Sequence, residues 1–292
     1  MDRMAAIVAG SAGGLIGRLL SQSNRPFEYL ARLSRTQLEA LLLIDEFRMR
    51  LGGSPFAGVD RDTVARELEQ RVDRPWLINQ VNMNLCGPAV FMFSLASSNP
   101  VAYVQFVIDL FETGHARLND LEIIPGTDCL QNARSSERAA QADWIALASI
   151  RDQFNTFLDY EGPGAWLEGL AGLTMADRLA EWFRKAGFSP VEDETNGLTV
   201  FTKNRENLDK ASQRRREGWF VCLLVDPDMV TGQSTWFGRH WIALTSDVVY
   251  FEDGGVPFAR FDVFTWGDGY RQVNRKLEDI IDNYYGYVAA HP

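Results

Sequence analysis

Apolar residues in the first half of the chain recur every three or four positions, which is the spacing of a helix that buries one face. Residues 34–50 are typical: leucine and isoleucine share one face, Ser34 or Thr36 can cap the start, and Gly52 follows the end. The same criteria predict further helices over 60–72, 88–95, 101–111, 140–158 and 175–185. The first half is therefore predicted to be mainly helical.

Short runs of β-branched and aromatic residues dominate the second half and predict strands. The predicted strands are 198–202, 219–225, 240–245, 248–251 and 258–266. A charged helix is expected between the first two strands, over 204–218, and an amphipathic helix over 275–287 is expected to close the chain. This pattern favours an α+β fold in which a helical half packs on an antiparallel β-sheet.

The length allows one large domain or two small ones. We expect an N-terminal helical extension, residues 1–72, followed by a main domain, residues 73–292. Glycine-rich residues 162–172 are the best candidate for a boundary between the helical and the sheet half.

The N-terminal residues 5–16 form an apolar run rich in glycine and alanine. Only Arg3 supplies a positive charge ahead of this run, and Arg18 interrupts it before the ~20 apolar residues that a membrane span needs. We therefore expect a segment that docks on the protein or frays. Neither a signal peptide nor stable membrane insertion is predicted, which favours the cytoplasm of the producing cell.

Composition narrows the function classes. The 46% hydrophobic content is that of a globular protein, and the net charge of -10 gives a surface that repels a phosphate backbone. No nucleic-acid partner is therefore expected. The three cysteines and three histidines show no spacing typical of a metal site or a disulfide framework, so no metal and no other cofactor is predicted.

The most informative segment surrounds Cys86. This cysteine directly precedes a predicted helix whose first turn can hold Pro88, so it lies at a helix N-terminus. The positive end of the helix dipole favours the thiolate that a nucleophile requires. Gln80, six residues upstream, can donate its amide to an oxyanion together with the backbone N–H of Cys86. Cys129 and Cys222 have no such setting and are expected to be structural.

A thiol nucleophile needs a base, and His240, at the start of a predicted strand, is the best placed histidine. If Ser246 and Asp247 form a two-residue hairpin loop, the pairing places Asp253 opposite His240, where it can orient the imidazole. A register slip of one residue would offer Glu252 or Asp247 instead.

Three further residues are candidates for the substrate cleft: Asn84, Trp236 and Trp266. Trp236 lies in the segment just before His240, where an aromatic residue is as typical of a core as of a cleft.

The spacing of Gln80 and Cys86, the helix after the cysteine and the histidine at the start of a later strand resemble the papain-like cysteine peptidase superfamily. Gly87-Pro88-Ala89 after the cysteine is similar to its bacterial branch, which includes bacteriocin-processing domains and effector proteases. Phe264-Thr265-Trp266-Gly267 resembles the Trp-Gly element that follows the third catalytic residue in papain relatives. The Cys-Gly-Ser-Cys-Trp signature of papain itself is absent.

The resemblance implies a papain-like fold with Cys86 as nucleophile, His240 as base and acid, Asp253 as orienting residue and Gln80 as oxyanion donor. It also implies a protease that cleaves a protein or peptide and acts as a bacterial effector or toxin. Such a protein is exported by a specialised secretion system and meets an inhibitor or immunity protein. The same residues serve glutamine deamidases and peptidoglycan amidases, and a non-catalytic binding protein can keep the fold. These three alternatives stay open.

Overall fold

The computed structural model describes residues 11–80, 85–131, 139–155, 176–195, 204–233, 239–267 and 269–292. In chain order, the first elements are α1 (Ser11–Gln22), α2 (Phe27–Leu30), α3 (Arg35–Met49), α4 (Arg61–Asp73), a 3-10 turn (Pro75–Leu77), α5 (Cys86–Ser98) and α6 (Pro100–Thr113). The next are β1 (Ala116–Leu118), β2 (Leu121–Ile123), α7 (Thr127–Gln131), α8 (Gln141–Asn155) and α9 (Ala176–Lys185). The first half is helical, as predicted.

The remaining elements are β3 (Val191–Asp193), α10 (Arg205–Arg216), β4 (Phe220–Val225), α11 (Asp228–Thr231), β5 (His240–Leu244), β6 (Val249–Asp253), β7 (Val256–Phe264), β8 (Tyr270–Lys276), α12 (Leu277–Asp282) and β9 (Tyr284–Ala290). The strand order is β3-β9-β4-β5-β7-β6, with β8 also paired to β7, and the strand pairs are antiparallel. The predicted α+β class with an antiparallel sheet is confirmed. The predicted strand 198–202 and the candidate boundary 162–172 lie outside the described residues.

Local sequence signals explain where several helices begin. Ser34 caps α3 with a capping box: its hydroxyl accepts from the Gln37 backbone N–H, and the Gln37 side chain accepts from the Ser34 backbone. Asn204 caps α10 by accepting from the backbone N–H of Asn207. These caps satisfy N–H groups that a helix start leaves unpaired.

Helix α5 is the centre of the helical half. It is buried from Cys86 through Ala96, which agrees with its nearly uniform apolar sequence. It packs against α4, α6, α8 and α9 on its helical sides and against β5 of the sheet. The stacked rings of Phe93 and Phe264, 4.2 Å apart, join it to β7. Residues from α3 and α4 belong to the same hydrophobic core as α5, and the predicted division at residue 72 is not visible as a break in this core.

The centre of the sheet is buried on both faces. Alternate residues of β4 and β5, such as Cys222 and Trp241, belong to the core shared with the helices. Their neighbours, such as Leu223 and Ile242, join a second core with residues of α10 and α12. This alternation is the period of two that strand geometry imposes.

Two predictions about the sheet are wrong. The closing helix 275–287 is replaced by the end of β8, the short helix α12 and strand β9. The tyrosine, valine and alanine residues of β9 pair with β4 at the centre of the sheet. Tertiary pairing therefore overrides the helical periodicity seen in the sequence.

The predicted hairpin between β5 and β6 is also wrong, because β6 pairs with β7. Gly254 and Gly255 form the loop between them, and both have positive φ, at 58° and 78°. A pair of glycines with positive φ suits the two-residue hairpin turns that match strand twist. Strand β8 covers the other edge of β7, so β5 and β6 lie end to end along one edge of β7. Across the described residues, we find no helix with the length and apolar character of a membrane span.

Candidate active site

Cys86 is the first residue of α5 and is 6% exposed. The backbone N–H groups of Trp241 and Gly87 lie near its sulfur. Since Trp241 follows His240 on β5, the sulfur lies beside the start of that strand. Pro88 lies in the first turn of α5, where backbone N–H groups have no acceptor within the helix, so the missing N–H of proline costs no hydrogen bond. The predicted helix-end position of Cys86 is confirmed.

The electrostatic expectation for this thiol is wrong. Burial is the largest influence and raises the pKa of Cys86 above its ordinary value of 9.0, although nearby backbone N–H groups and the charge of Arg151 lower it. A helix N-terminus stabilises a thiolate by about 1 kcal/mol, which is less than the cost of removing the charge from water. The buried thiol is therefore protonated at neutral pH in this arrangement.

His240 is the first residue of β5 and is 7% exposed. Its Nε2 lies 2.7 Å from the hydroxyl oxygen of Thr265, a residue that is itself buried. This contact engages Nε2 of the imidazole. Burial lowers the pKa of His240 to about 4, so the imidazole is neutral at pH 7.

Trp266 covers one side of His240. The indole and imidazole rings are stacked, with centroids 4.9 Å apart and planes 8° from parallel. The guanidinium of Arg271 lies over the Trp266 ring, 4.8 Å from its centroid. Trp266 has a positive φ of 53°, which is uncommon for a bulky residue and is typical of functional positions.

Gly267 connects this aromatic stack to the segment that carries Gln80. It has a φ of 78°, and a Cβ placed there would clash with the backbone and side chain of Asn79. Only glycine allows this approach at this conformation. The turn after β7 therefore packs directly on the residue before Gln80.

Gln80 is buried, and its Oε1 has no hydrogen-bond partner among the described residues. A buried amide oxygen without a partner carries a desolvation cost of about 1–3 kcal/mol. Such cost is typical of a group kept for a functional reason. Gln80 thus lies close to the Trp266–Gly267 turn, through its neighbour Asn79.

Asp253 does not belong to this cluster, and its predicted role is wrong. It ends β6, pairs with Val256 and is exposed to solvent. Strands β5 and β6 follow one another along the same edge of β7, so His240 at the start of β5 and Asp253 at the end of β6 lie at opposite ends and cannot pair. Thr265 contacts the imidazole in place of Asp253, Glu252 or Asp247. The sequence feature that could have indicated Thr265 is its position directly before Trp266-Gly267. The predicted hairpin instead directed attention to Asp253.

Asn84 and Trp236 lie outside the described residues. Arg151 of α8 was not predicted, since a helical pattern does not reveal which helix faces Cys86. Cys129 and Cys222 are buried, and burial raises the pKa of each to about 12, which suits structural residues. In the described part of the chain, no group of three or more His, Cys, Asp or Glu side chains could hold a metal ion.

A pH measurement tests the environment of His240. Because burial lowers its pKa from 6.5 to about 4, the unfolded chain binds a proton between these values that the folded protein excludes. Proton uptake by His240 in the unfolded chain therefore does not affect the free energy of unfolding well above pH 6.5. Between pH 6.5 and pH 4 it lowers the free energy of unfolding by about 3 kcal/mol. Urea unfolding at pH 7 and pH 4 should therefore show a smaller acid loss for His240→Gln than for the wild type. Equal losses in the two proteins would contradict the buried neutral imidazole.

Four separate segments thus meet around Cys86 and His240: the residues before α5, the start of α5, the start of β5 and the turn after β7. Comparison with known proteins finds no matching family model, no matching curated protein and no matching solved structure.

Proposed function

We propose that this chain is a cysteine hydrolase that cleaves amide bonds by acyl transfer through Cys86. The observation that carries the proposal is the packing of helix α5, which begins at Cys86, on strand β5, which begins with a histidine whose Nε2 already contacts Thr265. A nucleophile, a base and an oriented partner for the base are the parts that such chemistry requires.

In the first step, Cys86 attacks the carbonyl carbon of an amide while Nδ1 of His240 accepts the thiol proton. A neutral thiol and a neutral imidazole suit this sequence, since the charge pair forms only as the new bond forms. The Nε2–H of the imidazole then donates to Thr265, and the face of Trp266 stabilises the positive charge. Thr265 replaces Asp253 as the orienting residue in the proposal.

The negative charge that develops on the carbonyl oxygen is held by the side-chain amide of Gln80 and the backbone N–H of Cys86. His240 then gives its proton to the leaving amine, and a thioester remains on Cys86. Water attacks this thioester as His240 accepts its proton. The acid product leaves, and the proton returns to the Cys86 sulfur.

Peptide-bond hydrolysis by a bacterial effector or toxin is our choice of outcome, and it rests on the papain-like resemblance. The same resemblance suggests a protein or peptide substrate, a papain-like fold, an inhibitor or immunity protein as partner, and export by a specialised system. Incubation of the protein with candidate proteomes tests the reaction. New peptide termini formed by the wild type and absent with Cys86→Ala would identify a protease, whereas converted glutamines would identify a deamidase. Proteomes that neither protein alters would overturn protein or peptide hydrolysis.

A paired substitution tests the exchange of the orienting residue. Thr265→Val keeps the side-chain shape but removes the contact with Nε2, so the acylation rate should fall about tenfold, the equivalent of one hydrogen bond. Asp253→Asn should leave the rate unchanged because Asp253 is exposed on β6. The activated ester p-nitrophenyl acetate reports the rate, since its coloured product is released as Cys86 becomes acylated. A loss with Asp253→Asn and none with Thr265→Val would restore the original assignment.

A further inference from the structure

We propose that the buried pair of Arg71 and Asp143 is a positioning device that holds the Asn79–Gln80 segment for oxyanion binding. This inference rests on the proposed function, and it assigns a role in that chemistry to helix α4, which lies in the predicted N-terminal extension. Asp143 touches no reacting atom, and we infer that it acts through Asn79.

The geometry of the pair is bidentate. Arg71 Nε lies 3.1 Å from one carboxylate oxygen of Asp143, and Arg71 Nη2 lies 2.7 Å from the other. That second oxygen also accepts the backbone N–H of Asn79 at 2.9 Å. One carboxylate therefore joins α4, the first turn of α8 and the segment that leads to α5.

The surroundings fix the pair from both helices. Arg71 Nη1 donates to the side chain of Gln70, 3.2 Å away, in the last turn of α4. The backbone N–H of Ala142, next to Asp143, donates to Glu67 at 2.8 Å. The position of Asp143 in the first turn of α8 also suits a negative charge. Contacts within α4 and between α4 and α8 therefore fix the positions of Arg71 and Asp143 independently of Asn79.

Stability alone does not account for such a pair. Arg71 is 5% exposed and Asp143 is 1% exposed, so both charges have lost nearly all contact with water. Apolar residues of similar volume often replace a buried ion pair without loss of stability. The hydrogen bond from the Asn79 backbone N–H gives the carboxylate a role beyond the ion pair.

The hydrogen bond between Asp143 and Asn79 matters because Asn79 directly precedes Gln80, the proposed oxyanion donor. Among the described residues, the buried Oε1 of Gln80 has no hydrogen-bond partner, so the position of Gln80 depends on how the backbone before it is held. Asn79 is held by Asp143 on one side and by the close approach of Gly267 on the other. Gly267 follows Trp266, which stacks on His240. The Arg71–Asp143 pair thus supports the point where the oxyanion donor and the histidine stack meet.

Two reactions of Cys86 separate positioning from general disruption. Acylation by p-nitrophenyl acetate passes through an oxyanion, whereas alkylation by iodoacetamide does not. The ratio of the two rates therefore reports how well the oxyanion is held, and it cancels changes in the access or basicity of the thiol. A purely structural role of the pair would lower the melting temperature without changing this ratio.

The decisive comparison uses two double variants that both remove the buried charges. Arg71→Met with Asp143→Leu leaves the Asn79 N–H without an acceptor, and we expect the ratio to fall by about tenfold to a hundredfold. Arg71→Met with Asp143→Asn keeps an amide oxygen that can accept this N–H, and the ratio should stay within about threefold of wild type. If the leucine variant does not fold, Asp143→Ala replaces it, since alanine also lacks an acceptor.

A second ion pair supplies the matched control. Arg25 and Asp45 form a bidentate contact in the helical half, with both oxygens 2.7 Å from the guanidinium. Arg25→Met with Asp45→Leu should leave the ratio unchanged. A wild-type ratio in the Asp143→Leu variant, equal losses in the leucine and asparagine variants, or an equal loss at the control pair would each overturn the inference. Failure of the ester to acylate wild-type Cys86 would instead overturn the proposed function.

Discussion

Replacement of Cys86 by alanine is expected to reduce acyl transfer at least about a thousandfold, because no other group in the site can form the thioester. The fold should survive, since loss of one buried thiol leaves a small cavity that costs about 1 kcal/mol. Ester acylation measures the first effect, and thermal unfolding measures the second.

Cys222→Ala is the matched control for this experiment. Cys222 is fully buried on β4, and burial raises the pKa of its thiol as it does for Cys86. Its removal should have a similar effect on stability and none on acyl transfer. Full activity in Cys86→Ala, or an equal loss in both variants, would show that Cys86 is not the nucleophile.

Replacement of Gln80 by alanine should lower the rate of ester acylation by about 10²–10³. The expected loss equals that of one oxyanion donor, because the amide of Gln80 would donate only to the charged oxygen of the intermediate. Alkylation of Cys86 by iodoacetamide should keep its wild-type rate, since that reaction forms no oxyanion.

Gln80→Met provides the control for packing. Methionine fills a similar volume but has no N–H donor, so it should show the same loss of acylation with less loss of stability. A parallel fall in acylation and alkylation would mean that Gln80 supports the structure around Cys86 instead of binding an oxyanion.

The local parts of the candidate site could be predicted from the sequence because each depends on neighbours in the chain. Proline and apolar residues after Cys86 define a helix start, and the apolar run after His240 defines a strand. Gln80 was predicted from its position six residues before Cys86, and Trp266 from the resemblance of its segment to the Trp-Gly element of papain relatives. The structure brings these four residues to one region.

The partner of His240 could not be predicted in the same way, because it depends on the strand order. The assumed Ser246–Asp247 loop is not a hairpin: the Thr245 backbone N–H donates to Asp262 of β7, and the Val248 backbone N–H donates to Ser212 of α10. Gly254-Gly255 was the better signal for a hairpin, and its use would have paired β6 with β7. The residue that contacts the imidazole in the structure is Thr265, which follows the end of β7.

The charge state of Cys86 also required the tertiary structure. The sequence shows the helix end, which lowers the pKa of a thiol, but not the depth at which packing buries it. Likewise, the link from Arg71 through Asp143 to Asn79 joins residues that are far apart in the chain. No local pattern identifies such contacts.

The most direct test of acyl transfer through Cys86 is to locate the acyl group itself. Wild-type protein is mixed with p-nitrophenyl acetate, quenched in acid within one turnover, and mapped by peptide mass spectrometry. If Cys86 is the nucleophile, the map shows an acetyl thioester on Cys86 that hydroxylamine removes, with Cys129 and Cys222 unmodified. Acetyl groups confined to lysines, or spread evenly over the three cysteines, would contradict it.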